Sequence, residues 1–167
     1  MSTSEPIANG EPVVVGVDGS PESIAALDFA VNEARLRGCA VRAGLVWSDA
    51  AYYDWLAVPP GDVSPEEEAQ QDLATIVEDF LASLPGGREQ APPITVLARH
   101  GHPAEQLLAV AAEGDQLLVI GSCGRGGFAG LLLGSVGHHC VGRAQCPVVV
   151  VPGRLARPRR DDALASR

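Results

Sequence analysis

The sequence predicts an α/β fold: a doubly wound, five-stranded parallel sheet with helices on both faces. Three observations predict it. Short runs of aliphatic, largely β-branched residues alternate with longer segments whose apolar residues recur at helical spacing. The short runs are mostly apolar throughout, as in strands buried on both faces. The connections between them are long enough to hold helices, which parallel neighbours require.

Val13 to Val17 follows Pro12 and reads as the first strand. Asp18-Gly19-Ser20 is a turn, and Pro21 suits the first position of a helix. That helix carries Ile24, Ala25, Leu27, Phe29, Val31 and Ala34, with Ala26 and Ala30 beside them, and Gly38 is its stop. The pattern then repeats: strand Val41 to Val46, helix Pro65 to Leu84, strand Ile94 to Ala98, helix Pro103 to Glu113, strand Gln116 to Ile120, a helix around Ser135 to Arg143, and strand Val148 to Val151. Between the second strand and the second helix, Trp47 to Ser64 holds Tyr52, Tyr53, Trp55 and Pro59-Pro60, too long for a tight connection. It reads as a lid over a ligand or as plain mobile surface.

At 167 residues and 46% hydrophobic, the chain has the material for one domain with its own core. The expected organisation is a disordered segment at 1–11, one folded domain at 12–153 and a disordered Arg-rich tail at 154–167. No basic n-region opens the chain and no apolar run reaches about 18 residues, so neither export nor membrane insertion is signalled and the expected address is the cytoplasm. Cys39, Cys123, Cys140 and Cys146 lack a CxxC pair and read as reduced thiols. The body from Met1 to Gly153 sets seven Arg against nineteen acids, a balance of −12, which should repel nucleic acid. There is no lysine at all. That excludes a Walker A loop, whose Lys contacts the β and γ phosphates, and any Schiff-base chemistry on a lysine amine.

After the fourth strand the chain reads Gly121-Ser-Cys-Gly124-Arg-Gly126-Gly127-Phe-Ala-Gly130-Leu-Leu-Leu-Gly134-Ser135-Val136. Glycines where a strand leaves the sheet let backbone N–H groups approach an anion and form a concave nest for phosphate oxygens without a cationic side chain. An acidic chain without lysine needs such a device. Ser135 suits a helix cap, and the free N–H groups of that first turn favour a second anion contact. Arg125 adds a fixed positive charge. The stretch Gly124 to Ala129 matches a dinucleotide motif only in spacing, since it follows the fourth strand and leads into no helical pattern.

The spacing Gly121-x2-Gly124-x9-Gly134-Ser135 resembles the nucleotide-binding signature of the universal stress protein family. Val13-Val-Val-Gly16-Val-Asp18-Gly19-Ser20 resembles that family's first strand and turn, and Cys146-Pro147-Val-Val-Val-Val151 its closing strand. The resemblance covers Pro12 to Pro152. It implies the strand order 3-2-1-4-5, a homodimer formed through the last strand, and ATP at the carboxyl ends of the strands. With the full glycine signature the chain resembles the family's ATP-binding subgroup. Carried over by motif position, Gly16 and Asp18 lie near the base and ribose, and the Val46 backbone contacts adenine. Gly121, Ser122, Gly124, Arg125, Gly126, Gly127, Gly134, Ser135 and Val136 line the phosphates. Cys123 lies within the same segment, where the family often has a larger polar or basic residue. Mg²⁺ or Mn²⁺ accompanying the triphosphate would neutralise phosphate charge. Asp18 also has an ordinary role open to it, bonding its own turn.

His138, His139, Cys140 and Cys146, with Cys123 as a further member, suggest a metal set, but adjacent helix residues diverge by about 100° and the spacing fits no common zinc pattern. No metal site is expected there. His102, immediately before Pro103, suits the start of a helix, and no nucleophile elbow or triad signature is present. The expected function is a nucleotide-sensing regulatory module. A slow ATPase is a second reading, although no general base stands out near the phosphate loop. A nucleotide-free dimeric interaction protein is a third.

Overall fold

The computed structural model describes residues 10–48, 64–112, 117–123 and 133–153. Five strands, β1 (Val13–Gly16), β2 (Val41–Trp47), β3 (Ile94–His100), β4 (Leu117–Gly121) and β5 (Val148–Val151), form one sheet in the order β3-β2-β1-β4-β5. Every neighbouring pair is parallel. Helices α1 (Pro21–Arg37), α2 (Pro65–Ser83), α3 (Pro103–Ala111) and α4 (Ser135–Arg143) alternate with the strands, and a 3-10 turn at Gly87–Gln90 precedes β3. Expected elements and expected order are both present. The one lengthening of note is β3, which continues to His100 because β2 runs on to Trp47 and pairs with it throughout.

Side-chain alternation across the sheet sorts the core into two layers. Val13, Val15, Val41, Ala43, Leu117 and Val119 face α1 and α2, packing on Leu27, Val31, Leu73, Val77 and Phe80. Val14, Leu118 and Ile120 face the other way, onto Leu107, Val110 and Cys140. Burying a valine or leucine of this kind contributes about 1.5–3 kcal/mol, so both layers are needed to offset chain entropy.

The helices start where the sequence provides caps. Ser20 accepts from the Ser23 N–H ahead of Pro21, and Gly38 ends α1 with φ 65°. That positive φ is why glycine stands there. Ser64 and Glu67 form a reciprocal capping box at α2. The buried stripe of α1 is Ala26, Leu27, Ala30, Val31 and Ala34. Phe29, which the sequence reading places on the apolar stripe, is instead 36% exposed, because position 29 falls between the buried pairs 26–27 and 30–31.

Both sheet edges are managed differently. At β3, the Gln70 side chain of α2 donates to the Val96 carbonyl at 3.0 Å and accepts from the Ala98 N–H at 2.8 Å. One carboxamide thus occupies the outward backbone groups as a sixth strand would. At β5 all four valines are only half-buried, so the strand that Cys146 and Pro147 lead into is an edge strand and not a buried one. No helix among the described residues is long and apolar enough to cross a membrane.

Candidate functional site

The carboxyl ends of β1, β2 and β4 lie side by side at one rim of the sheet. Gly16 pairs with Gly44 and Val15 with Val119, which sets Gly121 near the level of Val17. Of the residues the sequence singles out, Gly16, Asp18, Val46, Gly121, Ser122, Cys123, Gly134, Ser135 and Val136 fall within the described chain and gather at or next to this rim. Gly124, Arg125, Gly126 and Gly127 lie outside the described residues, as does most of the segment between Trp47 and Ser64.

The turn after β1 is built by three side chains. Asp18 Oδ1 accepts from the Ser20 N–H at 2.9 Å and from the Ser20 hydroxyl at 2.5 Å. Ser20 Oγ in turn accepts from the Ser23 N–H at 3.2 Å. Ser23 donates its hydroxyl to the Ser20 carbonyl and accepts from the Asp18 N–H at 3.3 Å. Ser20 and Ser23 are buried, so these bonds satisfy groups that water does not reach. The turn role foreseen for Asp18 is therefore observed.

The strand-to-helix connection after β4 is pinned at both ends. Ser122 donates its N–H to Val151 at 2.8 Å, tying the end of β4 to β5, and its carbonyl accepts from the Gly134 N–H at 2.7 Å. Its hydroxyl accepts from the Gly153 N–H at 3.4 Å. The two ends of the glycine segment, at Ser122 and Gly134, thus meet.

Gly134, and not Ser135, is the N-cap of α4, with extended backbone and no side-chain cap. Ser135 is the first helical residue and exposed. The reason is backbone position: Gly134 has already been turned to extended geometry by its bond to Ser122, so the helical dihedrals begin one residue later. The first-turn N–H groups of α4 face the rim without a side-chain cap, unlike those of α1 and α2. Val136 and Val46 both pack their side chains into the layer around Leu107 and Cys140, which leaves their contribution at the rim to the backbone.

The glycines here divide by cause. A Cβ on Gly16 would sit 2.9 Å from Leu107 Cδ1, and one on Gly44 3.2 Å from Leu107 Cδ2, so this glycine pair forms the saddle that seats α3. A Cβ on Gly121 would lie 2.9–3.0 Å from the backbone and Cβ of Glu22, so that glycine admits the first turn of α1. Packing accounts for Gly16 and Gly121 fully. It does not account for Gly134: φ is −75°, ψ is 174°, and an added Cβ would meet Ser122 O at 3.5 Å and Cys123 Cα at 3.7 Å, ordinary contacts.

Sequence reasoning missed Gly44, whose place inside an apolar strand was a signal for close approach, and Glu22, which carried none. Cys140 is fully buried in the layer below α4, and burial followed by the neighbouring Cys146 pushes its thiol up to about 11. Cys146 is raised as well, chiefly by burial. Full burial makes Cys140 an unreactive thiol. Among the described residues no three His, Cys, Asp or Glu side chains gather around a common point.

A family model described as the universal stress protein family matches residues 10–152. A universal stress protein of Mycolicibacterium smegmatis is 39% identical over 150 residues, which is 89% of this chain and 46% of that protein. The chain thus spans about half the length of such relatives. Among solved structures, a universal stress protein in complex with cAMP is 25% identical, with TM-score 0.57 over 86% of this chain and 98% of its own. One from Archaeoglobus fulgidus in complex with dAMP is 26% identical, with TM-score 0.52 over 85% and 98%.

Proposed function

Since this chain belongs to the universal stress protein family, we propose that it binds ATP at the carboxyl rim of β1, β2 and β4 and acts as a cytoplasmic, nucleotide-sensing regulatory module. The observation that carries this reading is Gly134. Among the described residues there is room for a side chain there, and the backbone is ordinary, which supports the close approach of a ligand to the start of α4 as the reason for the glycine. A phosphate chain is such a group: the first-turn N–H groups and the helix dipole together favour an anion at that point. Complexes of two structural relatives with cAMP and dAMP support an adenine nucleotide as the ligand class.

In this reading Asp18 and Gly16 border the ribose and base, and the Val46 backbone meets adenine. Gly121, Ser122 and Cys123 open the phosphate loop, Gly124, Arg125, Gly126 and Gly127 cradle it, and Gly134, Ser135 and Val136 close it. Mg²⁺ or Mn²⁺ enters with the triphosphate, and nucleotide occupancy changes the surface that a dimer formed through β5 presents to protein partners.

Equilibrium titration with ATP tests it. Wild type binds one ATP per chain. Gly134→Ala keeps its fold, costing at most about 1 kcal/mol at a cap position, yet loses at least tenfold in affinity, and a Gly124→Val, Ser135→Ala double variant loses binding altogether. Absence of binding in the wild type would make the nucleotide-independent interaction protein the better account.

A further inference from the structure

We infer that His102 and His139 form a two-histidine site for a borderline divalent transition cation of the Zn²⁺ or Ni²⁺ kind, joining the start of α3 to the middle of α4. The two residues stand 37 positions apart in sequence, yet their rings meet in an edge-type contact, with centroids 5.4 Å apart and planes at 62°. Two imidazoles sharing one tetrahedral ion through metal–nitrogen bonds of about 2.0–2.1 Å place their centroids about 5 Å apart. The rotation of each ring about its metal–nitrogen bond is unrestricted, so the angle between planes does not oppose this.

The second observation is the contact that His139 makes with its own helix. Its Nδ1 lies 3.3 Å from the Ser135 carbonyl, one turn back on α4. A carbonyl oxygen only accepts, so in that bond Nδ1 donates and the neutral ring keeps its lone pair on Nε2. A backbone carbonyl holding the far nitrogen in this way is how ligating histidines are commonly oriented. His102 stands at the N-cap of α3 and makes no side-chain cap bond there, so its ring is not committed to the helix it begins.

The remaining surroundings suit a cation. Both histidines are exposed, so the ion needs no path inward and water completes its shell. The body of the chain has a strong acidic excess and no lysine, which raises the local cation concentration. Imidazole ligands select Zn²⁺, Ni²⁺ or Cu²⁺ over Mg²⁺ or Ca²⁺. This site differs from the run His138-His139-Cys140 with Cys146, in which Cys140 is fully buried. It also stands independently of the nucleotide reading.

Calorimetric titration of the reduced, nucleotide-free full chain with NiCl₂ and with ZnCl₂ tests the site, alongside thermal unfolding with and without each metal. Wild type takes one ion per chain and its thermal midpoint rises. His102→Gln and His139→Gln each weaken binding at least tenfold and abolish the rise, while His138→Gln, on the neighbouring direction of the helix, does neither. All three positions are exposed, and circular dichroism checks that each variant is folded. No binding by wild type, binding that survives His102→Gln, or an equal loss in His138→Gln overturns the assignment.

Discussion

The Asp18 carboxylate serves its own turn, and in the proposed site the same group also meets the ligand. Its Oδ1 holds Ser20 in place as the cap of α1, so Asp18→Ala removes the acceptor of two donors and costs about 1–3 kcal/mol, whatever the residue does for nucleotide. Asp18→Asn keeps an accepting oxygen and loses the charge. The expected outcome is a thermal midpoint close to wild type with ATP affinity reduced at least fivefold; unchanged affinity in both variants would remove Asp18 from the ribose site. Cys140 makes a second residue-scale prediction, in pH. Its thiol titrates near 11 when folded against an ordinary 9.0, so the folded state holds the proton more tightly than the unfolded chain. The stabilisation is complete below pH 9 and is lost as pH rises toward 11, by about 3 kcal/mol in all. No lysine titrates in that window. Urea denaturation at pH 8 and pH 10.5 should show the fall in wild type and a smaller one in Cys140→Ala. The glycines teach the limit of sequence reading at this scale: Gly16, Gly121 and Gly134 are equivalent letters in a motif, and only the positions of Leu107 and Glu22 reveal that the first two are demanded by packing.

At the scale of elements, the order of strands and helices was legible because each strand is an apolar run and each helix begins at a Pro or Ser-Pro signal or follows a glycine. Boundaries were legible where a cap is encoded, as at Gly38 and Ser64-Glu67, and were missed where pairing decides, as at the end of β3. The start of α4 at Ser135 was legible but its cap was not, because the cap is Gly134, held by a backbone bond to Ser122 twelve residues upstream, and no local pattern encodes that. The cover on β3 was invisible for the same reason: Gln70 reads as a surface residue of α2 and becomes an edge cover only once α2 lies along the strand. Gln70→Ala leaves one donor and one acceptor of β3 without their partner and costs about 1–3 kcal/mol. It also exposes strand edge, so chemical denaturation should show the loss and light scattering should show faster aggregation on heating. A variant as stable and as soluble as wild type would mean that water replaces the carboxamide without loss.

At the scale of the whole molecule, the proposed site would let a strongly acidic chain without lysine hold a polyphosphate through the first-turn backbone N–H groups at the start of α4, next to the end of β4, in place of side-chain cations. The sheet order brings those two points together, since β4 lies beside β1 and its exit is tied to both β5 and α4 through Ser122. The motif could be read from the sequence as a spacing of glycines, and the family match over residues 10–152 agrees with it. What the spacing could not convey was which rim glycines packing already accounts for. The most direct measurement is to denature purified protein by heat and identify what the supernatant contains by chromatography and mass spectrometry, with ATP titration of the emptied and refolded chain beside it. The account predicts an adenine nucleotide near one per chain, ATP foremost, or titratable ATP binding where purification has stripped it. A supernatant free of nucleotide together with a chain that takes up none would contradict it, and would leave Gly134 without a ligand to explain it.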